Sequence, residues 1–516
     1  MDHQITNHLV VILTGLSMYN MQKLYLFKVN ILPIRENDDI ASEYKGKSLG
    51  LLTAKGISVG DTVKISTTAS DNEFTAILMP RYESADENHI VVKLKSGYNI
   101  GIELTQIRSI IKITQCSDQN VSIVPNITRS TATNAWLPDK RGEGENDDKQ
   151  QDELHPRIAL ISTGGTIASR IDYRTGGVHA ALSASDLYAS IPELAKYASV
   201  DPEILLNEYS ENLRPEHWTL IANKVGEKVK SGRYQGVIIS HGTDTMHYTA
   251  SALSFALQNL PIPVVLVGAQ RSSDRPSSDA ALNLIGATIF SIKSNFSGVF
   301  VAMHASYSDD VIACHIGTRV RKNHTSRRNA FESIGAIPVA LIKGDLLETQ
   351  PQQLDIKLQK RSNNWDSSGN FAVKADYDSR VILLKYHPGF DPELITHVMT
   401  TPRYKAIILE GTGLGHISRE CIPKIQKAIE SGIMVFMTSQ CIWGRIRMTV
   451  YDTGRDLLNI GVIPLSNMIP ETAIVKAMWV IANSNSVESA RKMMQENLAN
   501  EISAISPIED KWMDVR

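Results

Sequence analysis

The stretch Arg157-Ile-Ala-Leu-Ile-Ser-Thr-Gly-Gly-Thr-Ile-Ala168 decides the fold. It is an apolar run that breaks at two glycines and a threonine. Runs this short, closed by turn residues, read as strands buried on both faces, as in a parallel sheet. Gly236-Val-Ile-Ile-Ser240 repeats the pattern and breaks into His241-Gly-Thr-Asp-Thr245. Both segments therefore deliver small polar groups to the carboxyl end of a strand, the edge at which open α/β sheets bind ligands. Further apolar runs follow at Val264–Val267 and Gly298–Met303, with helical patterns over Trp218–Lys230 and Asp279–Lys293. This alternation predicts a doubly wound parallel sheet. The polar segment Lys357–Asn370 interrupts it. A second α/β unit then starts at Val381–Tyr386, continues through Ala406–Glu410 and Ile433–Met437, and ends in helices near Leu498. The two units are expected to span residues 157–355 and 375–505.

Working towards the N-terminus, short strand patterns occupy Val59–Ile65, Phe74–Met79, His89–Leu94 and Tyr98–Ile102, with a hairpin turn at Lys95–Gly97. No helix is expected among them, and residues 51–115 predict a small SH3-like β-barrel, with an open β-meander as the alternative. Residues 116–156 include the run Gly142–Glu153, rich in acidic and polar side chains; they read as a solvated linker that cannot bury enough apolar surface to fold alone. Residues 1–50 form a poorly defined extension, in which Met21 offers a second possible start.

The 516 residues imply two to four domains. A net charge of −2 excludes a strong global attraction to nucleic acid, so any such contact would fall mainly to another subunit. Cys116, Cys314, Cys421 and Cys441 are far apart and show no metal-ligand spacing, which fits reduced thiols and a cytoplasmic location. No apolar run is long enough for a membrane span, and the start lacks the features of a secretory signal.

Three segments carry chemistry. In Thr163-Gly-Gly-Thr166 the glycines permit positive φ and close backbone approach, leaving Thr166 to face the cleft. The competing reading is that Thr163 or Thr166 caps the next helix. A phosphate loop is disfavoured because no Gly-Lys-Ser/Thr follows. In His241–Thr245, a hydroxyl beside a carboxylate can present a nucleophile and hold its proton partner, whereas Asp244 alone would read as an N-cap. Lys322, in Arg319-Val-Arg-Lys322, is the candidate to take a proton from a threonine hydroxyl; by itself it would read as a solvated surface charge. Together these residues suit an amide hydrolase with a threonine nucleophile.

Thr163-Gly-Gly-Thr-Ile-Ala168 followed by Ser240-His-Gly-Thr-Asp-Thr-Met246 resembles the paired signature of the bacterial-type L-asparaginase/glutaminase family. The resemblance runs from about Arg157 through the second α/β unit and implies an asparaginase-like pair of α/β domains. It implies Thr166 as nucleophile, Thr243, Asp244 and Lys322 as a second catalytic set, and Tyr173 on a loop closing over Thr166. It also implies that Ser210 and Glu211 bind the α-carboxylate and α-amine of a substrate, with Gly165 lining the same site. Ordinary members lack the β-barrel and usually carry glutamine where this chain has Glu211. Those departures are similar to the D subunits of archaeal glutamyl-tRNA(Gln) amidotransferases. So are Met79-Pro-Arg-Tyr-Glu83, Gly97-Tyr-Asn-Ile-Gly101, Arg319–Phe331 and Tyr451-Asp-Thr-Gly-Arg455.

The resemblance implies a glutaminase that releases ammonia for a larger tRNA-binding partner of the E-subunit type. That partner would use ATP and Mg²⁺ to turn Glu-tRNA(Gln) into Gln-tRNA(Gln). No metal or cofactor is expected on this chain itself, and a homodimer is expected, with tRNA held mainly by the partner. A free-standing L-asparaginase/glutaminase is the alternative. A binding protein on a decayed hydrolase is disfavoured, because Thr166, Thr243, Asp244 and Lys322 are all present.

Overall fold

The computed structural model describes residues 44–68, 73–79, 87–94, 99–113, 155–164, 169–171, 178–180, 191–271, 278–352, 356–362, 370–400 and 404–505. Helix α1 (Gly46–Ala54) precedes five antiparallel strands: β1 (Thr62–Thr67), β2 (Glu73–Leu78), β3 (His89–Leu94), β4 (Asn99–Glu103) and β5 (Ile107–Lys112). They pair in the order β4-β3-β2-β1-β5, so the last strand returns beside the first in SH3-like fashion. Strand alternation sends Val63, Ile65, Ala76, Leu78, Ile90, Val92, Ile102 and Ile110 into one core. Helix α1 lies ahead of the strand run, where the sequence predicts no defined element. Its two glycines, Gly46 and Gly50, weaken the local helical signal, and what holds it is packing: Leu52 and Tyr44 belong to the same core. The Tyr44 hydroxyl donates to the Met79 carbonyl at 2.7 Å and accepts from the Val91 N–H at 3.1 Å. This module therefore begins ahead of residue 51. The hairpin turn expected at Lys95–Gly97 and nearly all of the acidic linker lie outside the described residues.

The larger unit runs β6 (Arg157–Ser162), β7 (Ser199–Ile204), α2 (Pro215–Lys230), β8 (Gly236–Ser240), α3 (Met246–Ala256), β9 (Pro263–Val267), α4 (Ala280–Lys293) and β10 (Phe296–His304). It continues with β11 (Ile312–Ile316), β12 (Val320–Lys322), β13 (Phe331–Ser333), β14 (Ala340–Lys343) and β15 (Leu346–Thr349). Its sheet is ordered β15-β14-β11-β10-β9-β8-β6-β7. Strands β7, β6, β8, β9 and β10 are parallel, as the apolar runs predict. Beyond β10 the expectation of a parallel sheet is corrected: β11, β14 and β15 are antiparallel. The connection from His304 to Ile312 is too short for the helical crossover that a parallel neighbour requires.

Strand β6 feeds both faces of the sheet. Ile158 and Leu160 join α4 on one side, while Ala159 and Ile161 join α2 and α3 on the other. That is why its sequence shows an apolar run and no alternation. From β6 the chain moves to β7 at one side and then crosses to β8 at the other. This reversal opens a crevice at the carboxyl ends of β6 and β8.

The second unit holds four parallel strands, β16 (Val381–Lys385), β17 (Ala406–Gly411), β18 (Met434–Ser439) and β19 (Ile463–Pro464), in that order. Helices α5 (Glu393–Thr400), α6 (Ile422–Glu430), α7 (Asp452–Asn459), α8 (Pro470–Asn483) and α9 (Val487–Gln495) complete it. Helix α8 docks on α3, merging Trp218, Ala252 and Phe255 with Ala473, Ala477 and Trp479 in one cluster. Among the described residues, no helix is long and apolar enough to cross a membrane.

Candidate functional site

The turn after β6 is fixed by backbone chemistry. Thr163 donates twice to the Ser240 carbonyl, from its N–H at 3.0 Å and its hydroxyl at 2.9 Å. Its side chain thus ties β6 to β8. Gly164 has φ +118°, and a Cβ there would stand 2.2 Å from the Glu208 carbonyl oxygen. Glycine is required by the segment that leads to Ser210. Gly165, Thr166 and Tyr173 lie outside the described residues.

The turn after β8 is held from three directions. The buried His241 donates its Nδ1–H to the Gly242 carbonyl at 2.6 Å, because a carbonyl can only accept. Its Nε2, 2.8 Å away, then accepts from the Thr249 hydroxyl, which itself accepts from Trp218 Nε1 at 3.2 Å. Burial pushes the His241 imidazole down to about 4, so it is neutral near pH 7. From a second side, the Thr245 hydroxyl donates to the Ser210 carbonyl at 2.6 Å. Gly242 permits the close packing: a Cβ there would lie 2.8 Å from Ser210 Cβ. Ser210 is buried against this turn, while Glu211 is exposed in the single turn Ser210–Asn212.

Third, Gly268 closes the back of the turn, since a Cβ on it would lie 2.8 Å from Thr243 Cγ2. The loop that carries Gly268 is anchored by Asp279. Its carboxylate accepts the N–H groups of Gln270 and Arg271 at 3.0 and 2.9 Å. Asn283 donates to the Gly268 carbonyl at 2.9 Å and sits 2.6 Å from His304 Nδ1. In the sequence Asp279 reads only as the start of a helical run. The signal available was an Asp and an Asn four apart on an otherwise apolar helix.

Lys322 completes the constellation from β12. Its ammonium donates to Thr243 Oγ1 at 2.8 Å and to Asp244 Oδ1 at 2.6 Å, across nearly eighty residues of sequence. The lysine side chain is 9% exposed and that of Asp244 is 69% exposed. The amine is therefore withdrawn into the protein while its carboxylate partner faces the open crevice. This placement can relay a proton from a threonine hydroxyl or a water and stabilise the ammonium that results. Of the eight residues singled out from the sequence, the structure brings Thr243, Asp244 and Lys322 into one hydrogen-bonded group, with Ser210 packed against it.

The family described as Asparaginase, N-terminal, matches residues 157–354, and Glutaminase/Asparaginase C-terminal domain matches residues 380–494. A third family, GatD N-terminal domain, matches residues 57–113. The D subunit of the glutamyl-tRNA(Gln) amidotransferase of Pyrococcus furiosus is 45% identical over 453 residues, covering 87% of this chain and 96% of the relative. The corresponding D subunit of Pyrococcus abyssi is 44% identical over 455 residues, with the same coverage of both chains. Among solved structures, the thermostable L-asparaginase from Thermococcus kodakarensis matches with a TM-score of 0.58 and 33% identity, over 68% of this chain and 100% of its own. The similarity to the two D subunits thus includes the β-module that the asparaginase comparison leaves out. The chain belongs to the family of glutamyl-tRNA(Gln) amidotransferase D subunits.

Proposed function

We propose that this chain is the glutaminase subunit of a tRNA-dependent amidotransferase. It hydrolyses glutamine to glutamate and ammonia, and it works in the cytoplasm as a homodimer. A larger tRNA-binding partner uses the ammonia, with ATP and Mg²⁺, to convert Glu-tRNA(Gln) into Gln-tRNA(Gln). The observation that carries the reading is the group Lys322–Thr243–Asp244 at the carboxyl edge of β8, within a chain closely related to amidotransferase D subunits along nearly all of their length.

In this mechanism the Thr166 hydroxyl attacks the side-chain amide carbon, with Tyr173 closing over it. Its proton leaves with the amide nitrogen as ammonia, and water activated at Thr243, Asp244 and Lys322 then hydrolyses the acyl-enzyme to glutamate. Ser210 and Glu211 hold the amino-acid end of glutamine beside Gly165. Backbone N–H groups at the two turns receive the oxyanion, each contributing on the order of 3 kcal/mol. In its neutral-amine form Lys322 takes the proton of Thr243 or of a water held there, and Asp244 stabilises the ammonium formed. The Thr166→Ala variant is expected to lose glutamine-dependent amidation yet still support amidation from free ammonium. Full glutaminase activity in that variant would remove Thr166 from its role.

A second reading, a free-standing L-asparaginase/glutaminase, draws on the similarity to the L-asparaginase structure. It requires full activity from the purified chain alone, with asparagine preferred. The match of residues 57–113 to GatD N-terminal domain favours the first reading. Co-purification of a larger partner and tRNA would decide between them.

A further inference from the structure

Strand β12 carries Lys322 but, among the described residues, pairs only with the short β13, in a two-stranded ribbon apart from the main sheet. A ribbon this small does not by itself hold a long side chain at a fixed point. The residues leading into Lys322 are gripped instead by the second α/β unit. The Thr318 hydroxyl donates to the Ala499 carbonyl at 2.8 Å, and the Thr318 carbonyl accepts from the Thr472 hydroxyl at 3.0 Å. Arg319, wholly buried, donates Nε–H to the Asn500 carbonyl at 2.6 Å. Arg321 donates Nε–H to Glu471 at 2.7 Å. Glu471 lies in the first turn of α8, where the helix dipole favours a carboxylate.

The tail that supplies Ala499 and Asn500 is itself locked. Lys476, on α8, pairs with Glu501 at 2.5 Å, and neither side chain is exposed. The same ammonium donates to the carbonyls of Met494 and Glu496. Glu501 in turn accepts the N–H groups of Leu498 and Ala499 at 3.0 and 2.6 Å. A buried ion pair with its remaining hydrogen bonds satisfied fixes the tail in one conformation.

We propose that the second α/β unit positions Lys322: Glu471, Thr472 and the tail carbonyls of Ala499 and Asn500 form a clamp that sets where the lysine meets Thr243 and Asp244. These are positioning residues, since none of them touches the reacting groups. The proposal rests on the functional reading for its consequence in turnover, and its geometry is testable without turnover. Anything that moves α8 or the tail would then detune glutamine hydrolysis from outside the crevice.

The test uses the full chain with its partner and compares Glu471→Gln and Thr318→Val with Leu457→Ala. Leu457 belongs to a separate core cluster of the second unit that contains none of the clamp. The first readout is trace acylation of Lys322 by an amine-reactive ester, followed by peptide mass spectrometry. The clamp variants are expected to raise its acylation rate several-fold, and Leu457→Ala to leave it unchanged. The second readout is glutamine hydrolysis. The clamp variants should lower kcat by about tenfold or more with KM within about twofold, as a displaced proton-transfer group does. Unchanged acylation in both clamp variants would overturn the proposal, and so would an equal rise in Leu457→Ala. A wild-type chain inert towards glutamine would sink the functional reading, while the acylation rates would still decide the clamp.

Discussion

Replacing Lys322 by methionine removes the ammonium and keeps the length of the side chain. Its two hydrogen bonds, to Thr243 at 2.8 Å and Asp244 at 2.6 Å, are both lost. Hydrogen bonds to charged groups contribute about 1.5–3 kcal/mol each when shielded. The Asp244 side chain is 69% exposed, so that half of the interaction is discounted to about 1 kcal/mol or less. The freed carboxylate can be hydrated, and the methionine stem still fills the space. The net loss of stability is therefore about 1.5–4 kcal/mol, a fall in Tm on the order of ten degrees or less for a unit of this size. The kinetic loss should be larger, because positioned acid–base groups contribute about 10²–10⁴ in rate, or about 3–5 kcal/mol. In a coupled glutamate assay with the partner present, kcat should fall by at least about a hundredfold, with little change in KM. Amidation from added ammonium salt should survive. A variant that keeps kcat within about threefold of wild type would refute the role given to the lysine.

Further outcomes follow from other parts of the molecule. Gly164→Ala combines a left-handed φ with a Cβ 2.2 Å from the Glu208 carbonyl oxygen, and should cost more than about 3 kcal/mol in urea unfolding. Gly344→Ala, at φ +56° but with open space around it, should cost only about 1–2 kcal/mol. Burial holds His241 and His247 at about 4 in the folded state, against an ordinary value of 6.5. The unfolded chain binds more protons between those values, so this contribution is complete above pH 6.5 and is lost as pH falls towards 4. Each histidine contributes up to about 3 kcal/mol, visible as a falling denaturation midpoint from about pH 7.5 to 5. A flat midpoint would contradict their burial as neutral groups. Lys476→Met strands the Glu501 carboxylate and should destabilise by about 3–5 kcal/mol, whereas Lys476→Met combined with Glu501→Gln should recover most of that. Equal losses in the single and double variants would show that the pair is not coupled.

The sequence made β6 and β8 legible because strands buried on both faces leave unbroken apolar runs, and the crevice followed from where those runs end. Thr243 and Asp244 were legible for the same reason, being among the first polar residues past β8. Lys322 carried little local signal among arginines; it stood out only through the threonine chemistry that needs a base and through the resemblance, and the ribbon that delivers it depends on contacts with residues far along the chain. Helix α1 escaped notice because its glycines mask a helix that Leu52 and Tyr44 hold by packing. The antiparallel strands past β10 follow from a short connection whose consequence appears only once β10 is known to be an inner strand. Glu471 and the Lys476–Glu501 pair carry no signal in the sequence, since charge pairing across the fold leaves no periodic trace.

The most direct test of the central claim is covalent trapping with a diazoketone analogue of glutamine, read by peptide mass spectrometry on the full chain with its partner. A single label on Thr166 is expected, prevented by excess glutamine and absent from Thr166→Ala. A label placed on any other residue, or one that excess glutamine does not prevent, would contradict it.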